Sequence, residues 1–506
     1  MTLPSNRQAG VCLHITSLPG DYGVGEIGHA ARQFIDTLSS MGMRVWQFLP
    51  IGPTAYGDSP YQPLSIYAGN TVLLDVASLV EAGLVHPGET TELADLPSEH
   101  TEYGRVVPLK QQVLARAADR FATHASAAQR LAYDEFLAQH EERWLHDYAL
   151  FRVLRTLHQE RPWPEWDLQY VNRDADALQS LARSARQQID EIKVLQFLFF
   201  EQWHALRTHA HDQGIRLFGD VPLYIALDSA DAWTSPELLQ IDRDGRPQNV
   251  AGVPPDYFSA DGQLWGNPLY DWEYHAKTNY QWWIERLRHA ITLADIIRLD
   301  HFRGFESYWS IPASADTARD GQWLAGPGND LFDALRAALG DLPFVAEDLG
   351  IITDAVTALR ERQQLPGMKV LQFMLGDEHF DVHQIPGNSV CYTGTHDNDT
   401  TVGWFSGGPD DVRSLDEIRH THGIVLHNTR GSPETIHTDL IRLALQSEAR
   451  LTIVMMQDFL GLGSEARMNT PGTTKGNWRW RLMREQINDS LCQSIREMVV
   501  ASGRSA

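Results

Sequence analysis

Cysteine is scarce in this sequence. Three cysteines occur among 506 residues, at Cys12, Cys391 and Cys492, and they stand far apart. Three cysteines cannot build a disulfide framework, and none of them has a neighbour at the close spacing of a zinc knuckle. This composition argues against a disulfide-stapled secreted protein and predicts a reducing, cytoplasmic compartment.

Basic residues are also few, because 42 lysines and arginines face 66 acidic residues and the net charge is −24. A surface this acidic repels phosphate backbones and anionic lipids, so we expect no nucleic-acid partner and no membrane partner. The densest apolar patch, residues 194–200, is far too short to cross a bilayer, and the first residues contain no apolar signal segment. None of this restricts a neutral ligand such as a sugar.

Motifs for metals and cofactors are weak. His379 and His383 have a spacing of four, but the HExxH pattern and a third ligand are missing. The segment 242–245 begins like a calcium loop, yet its glycine falls at the fourth position rather than the sixth. No glycine-rich phosphate loop follows a predicted strand. We therefore expect no metal ion, nucleotide or other cofactor.

What the sequence does contain is a series of short apolar runs, most of them separated by helical patterns. Their hydrophobicity does not alternate, which is typical of parallel strands buried on both faces. The eight runs are 11–15, 45–50, 215–219, 296–299, 344–346, 370–373, 389–393 and 451–456. Eight parallel strands that alternate with helices predict an α/β fold, a (β/α)₈ TIM barrel.

The spacing of the runs predicts large insertions in one catalytic barrel that spans residues 1–506. About residues 70–200 exceed what one βα unit needs, and the composition of 130–157 is helical, so we expect a mainly helical subdomain there. A second long stretch, 222–290, looks loop-rich. Trp265 lies in it beside Gly266, Asn267 and Pro268, a loop context in which an aromatic ring can stack on a sugar.

Acidic residues follow most of the predicted strands. Active sites of this fold lie at the carboxyl ends of the strands, and a ring of carboxylates there is costly unless a ligand uses it. The acids in question are Asp220, Asp300, Glu347, Asp348, Asp377, Asp397 and Asp458.

Residues 297–305 (IRLDHFRGF) place Asp300 directly after an apolar strand. Arg298 is two residues earlier, so on a strand both side chains point to the same face. A guanidinium that close favours an ionised carboxylate, as a nucleophile requires. The alternative is a structural ion pair at a strand end, and the spacing alone does not separate the two.

Residues 344–350 (FVAEDLG) supply a second carboxyl group at a strand end. A glycosidase needs one carboxylate as nucleophile and one protonated carboxyl to protonate the leaving oxygen. Glu347 suits the second role, because an apolar, carboxylate-rich site raises the pKa of such a group. Asp348 competes for the role, although on a strand its side chain would point to the opposite face.

Residues 393–400 (TGTHDNDT) add His396 and Asp397. Histidine can donate to sugar hydroxyls, and an aspartate can accept from them more strongly as the transition state flattens the ring. The alternative is a plain turn, since a run of Asp and Asn is turn-prone.

Together these segments resemble the amylomaltase family of 4-α-glucanotransferases, retaining barrel enzymes of the α-amylase superfamily. The resemblance extends from HITSLPG at 14–20 to NWRWR at 477–481, and it is weakest at about 88–188. Each motif is short, but all of them in this order are specific. The other matching segments are WQFLP at 46–50, DSPYQ at 58–62, GDVP at 219–222, GVPPDYF at 252–258, RLDHFRGF at 298–305, AEDLG at 346–350 and THDN at 395–398.

The resemblance implies a role for each matching residue. It implies Asp300 as nucleophile, Glu347 as acid/base and Asp397 as transition-state stabiliser. Arg298, His396, Tyr61 and Asp220 would bind the sugar at the reacting centre. The segments 252–268 and 461–472 would cover the acceptor side, where the substrate-binding candidates are Trp265, Asn469 and Pro471.

The expected reaction is transfer of an α-1,4-glucan segment from a maltooligosaccharide donor to the 4-hydroxyl of glucose or another glucan, through a covalent glycosyl-enzyme. The expected substrates include maltooligosaccharides and amylose or glycogen-derived glucans. An α-glucan hydrolase would use the same acids with water as acceptor. A non-catalytic glucan-binding barrel is the second alternative, and a metal-dependent barrel enzyme is the third.

Overall fold

The computed structural model describes residues 3, 6–255, 261–408 and 411–505. Within these residues the chain forms twelve strands. They are β1 Gln8–Cys12, β2 Val45–Gln47, β3 Arg216–Val221, β4 Asn249–Val253, β5 Gln263–Pro268, β6 Ile296–Leu299, β7 Ser307–Pro312, β8 Gln322–Ala325, β9 Phe344–Ala346, β10 Gly367–Val370, β11 Ser389–Tyr392 and β12 Leu451–Met455.

Eight of the strands form a parallel barrel. Their order is β10-β11-β12-β1-β2-β3-β6-β9, and each neighbouring pair is parallel. Between the two ends of this order, the backbone N–H of Ala346 donates to the carbonyl of Pro366 over 2.8 Å. The predicted (β/α)₈ barrel is confirmed.

Side chains from the barrel strands are buried on both faces, as the uninterrupted hydrophobicity predicted. Val45, Phe218, Ile296, Val345 and Ile453 belong to one buried cluster in the barrel interior. Neighbouring strand residues pack outwards in a second, larger cluster with the surrounding helices. Because both faces are covered, these strands cannot carry the alternating pattern of a half-exposed sheet.

Two predicted strands are shifted in the structure. The first run was expected at 11–15, but β1 ends at Cys12 and a 3-10 turn follows at Ile15–Ser17. The sixth was expected at 370–373, but β10 ends at Val370 and a helix begins at Leu371. The amide of Gln372 donates to the carbonyl of Asp399 over 3.0 Å, a tertiary contact that is not visible in the apolar pattern.

Twenty α-helices accompany the strands in the described residues. Up to the third strand they are α1 His29–Ser40, α2 Val76–Glu81, α3 Thr91–Ala94, α4 Tyr103–His124, α5 Ala127–His140, α6 His146–Leu157, α7 Leu168–Val171, α8 Ala175–Ser184 and α9 Arg186–Asp212. The others are α10 Ala230–Thr234, α11 Trp272–Lys277, α12 Gln281–Leu293, α13 Gly328–Leu339, α14 Asp354–Arg362, α15 Leu371–Met374, α16 Thr401–Ser406, α17 Leu415–Thr429, α18 Ile436–Gln446, α19 Met456–Phe459 and α20 Asp489–Ala501. In the described part of the chain, no helix is long and apolar enough to cross a membrane.

The residues between β2 and β3 are mostly helical and include α2 to α9. Local signals define several helix ends. Ser126 and Gln129 form a capping box at the start of α5, and Thr353 caps α14 through its hydroxyl. Gly340 ends α13 with φ of +76°, a conformation that a glycine adopts without strain.

A second sheet lies outside the barrel and was not predicted from the sequence. It is antiparallel, with the order β5-β4-β7-β8. Two of its strands fall in the stretch 222–290 that looked loop-rich, and the other two follow β6. The two strands in that stretch contain Gly and Asn, and β5 also contains Pro, so their composition resembles that of loops.

Candidate active site

Strand register brings the first acidic residues together at one mouth of the barrel. Asp220 on β3 is paired with Arg298 on β6, and Leu299 is paired with Ala346 on β9. Asp300 and Glu347 are the residues that directly follow these last two positions. Both carboxyl groups are therefore delivered by neighbouring strands at the same level of the barrel.

Arg298 lies between two carboxylates. Its Nη1 donates to Oδ2 of Asp220 over 2.8 Å, and its Nη2 is 2.9 Å from Oδ1 of Asp300. Burial by itself would lower the pKa of Arg298, but the surrounding carboxylates raise it well above its usual value. The guanidinium therefore stays charged and holds both acids in fixed positions.

Burial raises the pKa of Asp300 to about 6, against the opposing effect of Arg298 and with further increases from Asp220 and Asp397. Arg298 was expected to favour the ionised form of Asp300, but the removal of water raises the pKa of this carboxyl more than the ion pair lowers it. Burial also raises the pKa of Glu347, to about 8, where Arg298 opposes it and Asp300 adds to it. Between these values Asp300 is ionised and Glu347 is protonated.

Two backbone groups orient Glu347. The N–H of His301 donates to Oε2 over 2.8 Å, and the N–H of Leu349 donates to Oε1 over 2.9 Å. Asp348 points elsewhere, as expected. It accepts from the N–H of Met368 over 2.7 Å and is 3.2 Å from Nε of Arg360, contacts that have no part in the carboxylate cluster.

Two other acids are not part of the cluster. Asp458 is buried and accepts hydrogen bonds from the hydroxyl of Thr393 and the N–H of Thr401. It therefore holds the end of β11 and the start of α16 in place. Asp377 is exposed and lies seven residues beyond β10, because α15 intervenes. The prediction that Asp377 directly follows a strand was wrong, because the sixth strand ends earlier than predicted.

Asp397 reaches the site from the loop after β11, and it is held there by the 461–472 segment. Its Oδ1 accepts from Nδ2 of Asn469 over 2.7 Å and lies 3.5 Å from Nε2 of His396. Arg467 connects the two segments, because it donates to the carbonyls of both Asp397 and Asn469 over 2.8 Å. The side chain of Asp397 stays 45% exposed, so it remains open to a ligand.

Tyr61 contacts one residue on β3 and another in the loop after β11. Its hydroxyl donates to Oδ2 of Asp220 over 2.8 Å, and its ring stacks on His396 with 5.2 Å between centroids. Burial lowers the pKa of His396, so the imidazole is neutral and has one donor and one acceptor nitrogen. Among the described residues, Oδ1 of Asp220 has no hydrogen-bond partner, which leaves a buried acceptor for a ligand hydroxyl.

Sequence and structure comparisons agree on the family. Residues 13–486 match the family described as 4-alpha-glucanotransferase. The chain is 44% identical over 510 residues to the 4-alpha-glucanotransferase of Thermus thermophilus, with 100% of each chain covered. It is 43% identical to that of Synechocystis sp., with 98% of each covered. The chain belongs to the 4-alpha-glucanotransferase family.

A solved structure agrees with this assignment. The amylomaltase from Streptococcus agalactiae in complex with acarbose superposes with a TM-score of 0.93 at 35% identity, covering 99% of this chain and 100% of that one. The family membership predicted from the motifs is confirmed, and with it a transferase-type activity on α-glucans. The barrel is thus that of a 4-alpha-glucanotransferase.

Trp265 stands beside the cluster on β5. Its ring packs edge-to-face with the ring of His301, with 4.8 Å between the ring centroids, and His301 is the residue that follows Asp300. Tyr257 and Phe258, which belong to the family-like segment GVPPDYF at 252–258, lie outside the described residues. Pro471 is solvent-exposed, two residues beyond Asn469, so the fold does not bury it against the carboxylates.

A pair of side-chain amides connects the loop that contains Tyr61 to β5, the strand of Trp265, and this pair was not predicted from the sequence. Nε2 of Gln62 donates to Oδ1 of Asn267 over 3.0 Å, and Nδ2 of Asn267 donates back to Oε1 of Gln62 over 3.3 Å. Asn267 also donates to the carbonyl of Ile225. Both residues lie in quoted segments, but only contacts between distant segments reveal their pairing.

His14 and Trp478 are further residues near the site that were not singled out. Trp478 packs against Tyr61 at 6.1 Å and His396 at 6.0 Å. Burial and the proximity of His396 lower the pKa of His14 to about 3. The two residues lie in the first and last family-like segments, which were quoted without a role for either side chain. Among the described residues, no group of three or more His, Cys, Asp or Glu could hold a metal ion.

Proposed function

We propose that this enzyme moves α-1,4-glucan segments between maltooligosaccharides by a retaining double displacement, with Asp300 as nucleophile and Glu347 as acid/base. The observation that carries the proposal is geometric: Asp300 and Glu347 follow neighbouring strands at one level of the barrel, Arg298 lies 2.9 Å from Asp300, and two backbone N–H groups hold Glu347. The pKa values agree with two different roles. The pKa of Asp300 is raised only to about 6 and that of Glu347 to about 8, so near neutral pH one carboxyl acts as a base and the other as an acid. Two roles are what glycosidic bond exchange requires.

In the first step the carboxylate of Asp300 attacks C1 of the donor sugar and a bond from C1 to the carboxylate oxygen forms. The bond from C1 to the bridging oxygen breaks, and Glu347 gives its proton to that oxygen, so a shortened glucan leaves. Positive charge develops on the ring in the transition state. Asp397, held by Asn469, is positioned to accept a sugar hydroxyl bond that strengthens at this stage.

In the second step the 4-hydroxyl of an acceptor gives its proton to Glu347 and its oxygen bonds to C1, which releases Asp300. One glycosidic bond has broken and one has formed, so the number of reducing ends is unchanged. Two inversions give net retention of the α configuration. Glucose and longer glucans can act as acceptors, since each carries a free 4-hydroxyl.

Transfer requires that an acceptor compete with water at the intermediate. We assign this task to the segments 252–268 and 461–472, which contribute Trp265 and Asn469 to the site. Trp265 supplies an aromatic face near His301, where an acceptor ring can stack. Pro471, exposed in the second segment, completes the acceptor side in this proposal. The hydrolase alternative uses the same carboxylates, and no contact described above favours it.

Incubation with pure maltotriose tests the function. Transfer produces glucose together with oligomers longer than three units, while the total of reducing ends stays nearly constant. Hydrolysis produces a steady rise in reducing ends and nothing longer than maltotriose. Following the anomeric proton of newly formed products by NMR tests the mechanism separately, because α products are expected and initial β products would contradict the double displacement.

A further inference from the structure

Trp323 is an exposed tryptophan whose ring is nevertheless held in place. The residue lies on β8, an edge strand of the antiparallel sheet, and it is 39% exposed. The guanidinium of Arg303 lies 3.7 Å from the centroid of the Trp323 ring. Trp309 is the cross-strand partner of Trp323, and the centroids of the two rings are 5.1 Å apart. Trp309 is itself fixed by a hydrogen bond from its indole N–H to the carbonyl of Ala318.

Arg303 connects this ring to both catalytic loops. It lies three residues after Asp300, and it donates to the carbonyl of Ile351, four residues after Glu347. Its second nitrogen donates to the hydroxyl of Ser307 over 3.1 Å. The guanidinium is buried beneath the ring, with only 5% of Arg303 exposed. Trp323 is therefore held one side chain away from the two loops that carry the proposed nucleophile and acid/base.

We propose that Trp323 is an accessory subsite that binds a pyranose ring of a long α-glucan whose reacting end lies at the catalytic carboxylates. The proposal rests on the proposed function, because that function supplies polymeric glucans as substrates. An aromatic face pairs with the apolar face of a sugar ring. Since packing already orders Trp323, binding costs little side-chain entropy.

The residues of the strand that carries Trp323 suit a neutral ligand. None of the four residues of β8 is charged, although the whole chain has a net charge of −24. An edge strand also presents backbone N–H and C=O groups to whatever lies beside it, and sugar hydroxyls can bond to both. We expect short substrates such as maltotriose to fill only the region around the carboxylates, so Trp323 should matter for long chains and not for short ones.

The test compares KM for long linear amylose with KM for maltotriose in Trp323→Ala. Loss of one stacking face should raise KM for amylose roughly three- to tenfold, with kcat unchanged and KM for maltotriose unchanged. Trp323→Phe keeps an aromatic face and should stay close to wild type. Leu168→Ala, which removes an exposed apolar side chain from the helical insertion, is the matched control and should alter neither KM.

Two results would overturn the proposal. One is an unchanged KM for amylose in Trp323→Ala. The other is an equal rise for amylose and maltotriose, which would mean that the ring only supports Arg303 and the catalytic loops. Thermal unfolding checks that the variants fold, and Trp323→Gln, which keeps a long side chain without a ring, replaces the alanine variant if that one does not.

The accessory subsite and the proposed function can fail separately. If wild-type enzyme does not disproportionate maltotriose, the proposed function fails. Retardation of the protein in native gels that contain amylose still tests Trp323 in that case. Wild type and Leu168→Ala should be retarded, and Trp323→Ala should migrate faster than both. Equal retardation of all three would refute the subsite.

Discussion

The backbone N–H of His301 donates a hydrogen bond of 2.8 Å to Oε2 of Glu347. His301 directly follows Asp300 and has a left-handed backbone, with φ of +50°. That conformation is uncommon for a residue with a side chain, and strained backbone often accompanies functional sites. Here it turns one N–H toward Glu347 and places the ring against Trp265. The position of the proposed acid/base is thereby linked to the residue next to the proposed nucleophile.

Replacement of Asp300 by Asn should abolish turnover. The amide is a poor nucleophile, so we expect kcat to fall by at least about a thousandfold, while binding of maltooligosaccharides persists. Initial rates of glucose release from maltotriose measure the first effect, and isothermal titration measures the second. A variant that keeps a tenth of wild-type activity would exclude Asp300 as nucleophile.

Asp348→Asn is the matched control for this experiment. It makes the same chemical change one residue beyond Glu347, at a carboxylate that accepts from Met368 and pairs with Arg360. Its activity should stay near wild type even if its melting temperature falls. Loss of activity as severe as in Asp300→Asn would mean that the carboxylate cluster extends further than the contacts indicate.

The pH profile of kcat/KM should be bell-shaped. The rising limb belongs to Asp300, whose pKa is raised to about 6, because the nucleophile is ionised only above that value. The falling limb belongs to Glu347, whose pKa is raised to about 8, because the acid loses its proton above it. The two groups interact, so the limbs report the pair. In Glu347→Gln the falling limb should disappear from the residual activity.

An activated donor separates the two roles. α-Glucosyl fluoride carries a leaving group that needs no protonation, so Glu347→Gln should still form the glycosyl-enzyme from it, whereas Asp300→Asn should not. Release of fluoride is the measurement. If both variants were equally inactive with this donor, the assignment of Glu347 as acid would lose its support.

Removal of the amide of Asn469 should slow the chemical step. Asn469→Ala deletes the 2.7 Å hydrogen bond to Oδ1 of Asp397, a bond to a charged group and therefore a strong one. We expect kcat to fall about ten- to a hundredfold. Asn428→Ala provides the comparison, because the amide of Asn428 donates, among the residues that the structure describes, only to the carbonyl of Ile424 in its own helix. Equal rates for the two variants would contradict the role given to Asn469.

The amide pair of Gln62 and Asn267 should couple the two sides of the site. Gln62→Ala and Asn267→Ala should each raise KM for maltotriose, since each releases the Tyr61 loop from the strand of Trp265. If the pair acts as a unit, the double variant should be little worse than the worse single one. Additive effects in this cycle would show that the two residues act independently, for instance through the bond from Asn267 to Ile225.

Much of the barrel was predictable because its strands are buried on both faces. Such strands leave uninterrupted apolar runs in the sequence, and the acids that follow them must meet at one mouth, since parallel strands end on the same side. Asp300, Glu347 and Arg298 are positioned by this rule alone. The rule misplaced Asp377, because a short helix after β10 continues the apolar composition of the strand.

Other features depended on contacts between segments far apart in the chain. Tyr61 and Asp220 are 159 positions apart, and only the closed barrel joins them. In the antiparallel sheet that holds Trp265 and Trp323, β4 and β5 have a loop-like composition, and hydrogen bonds to partner strands stabilise them. The choice between acid and nucleophile also belongs to the tertiary structure. Both carboxyl groups follow strands in the same way, and burial is the main cause that raises the pKa of each. Only the tertiary structure shows the neighbouring charges and hydrogen bonds that differ between them.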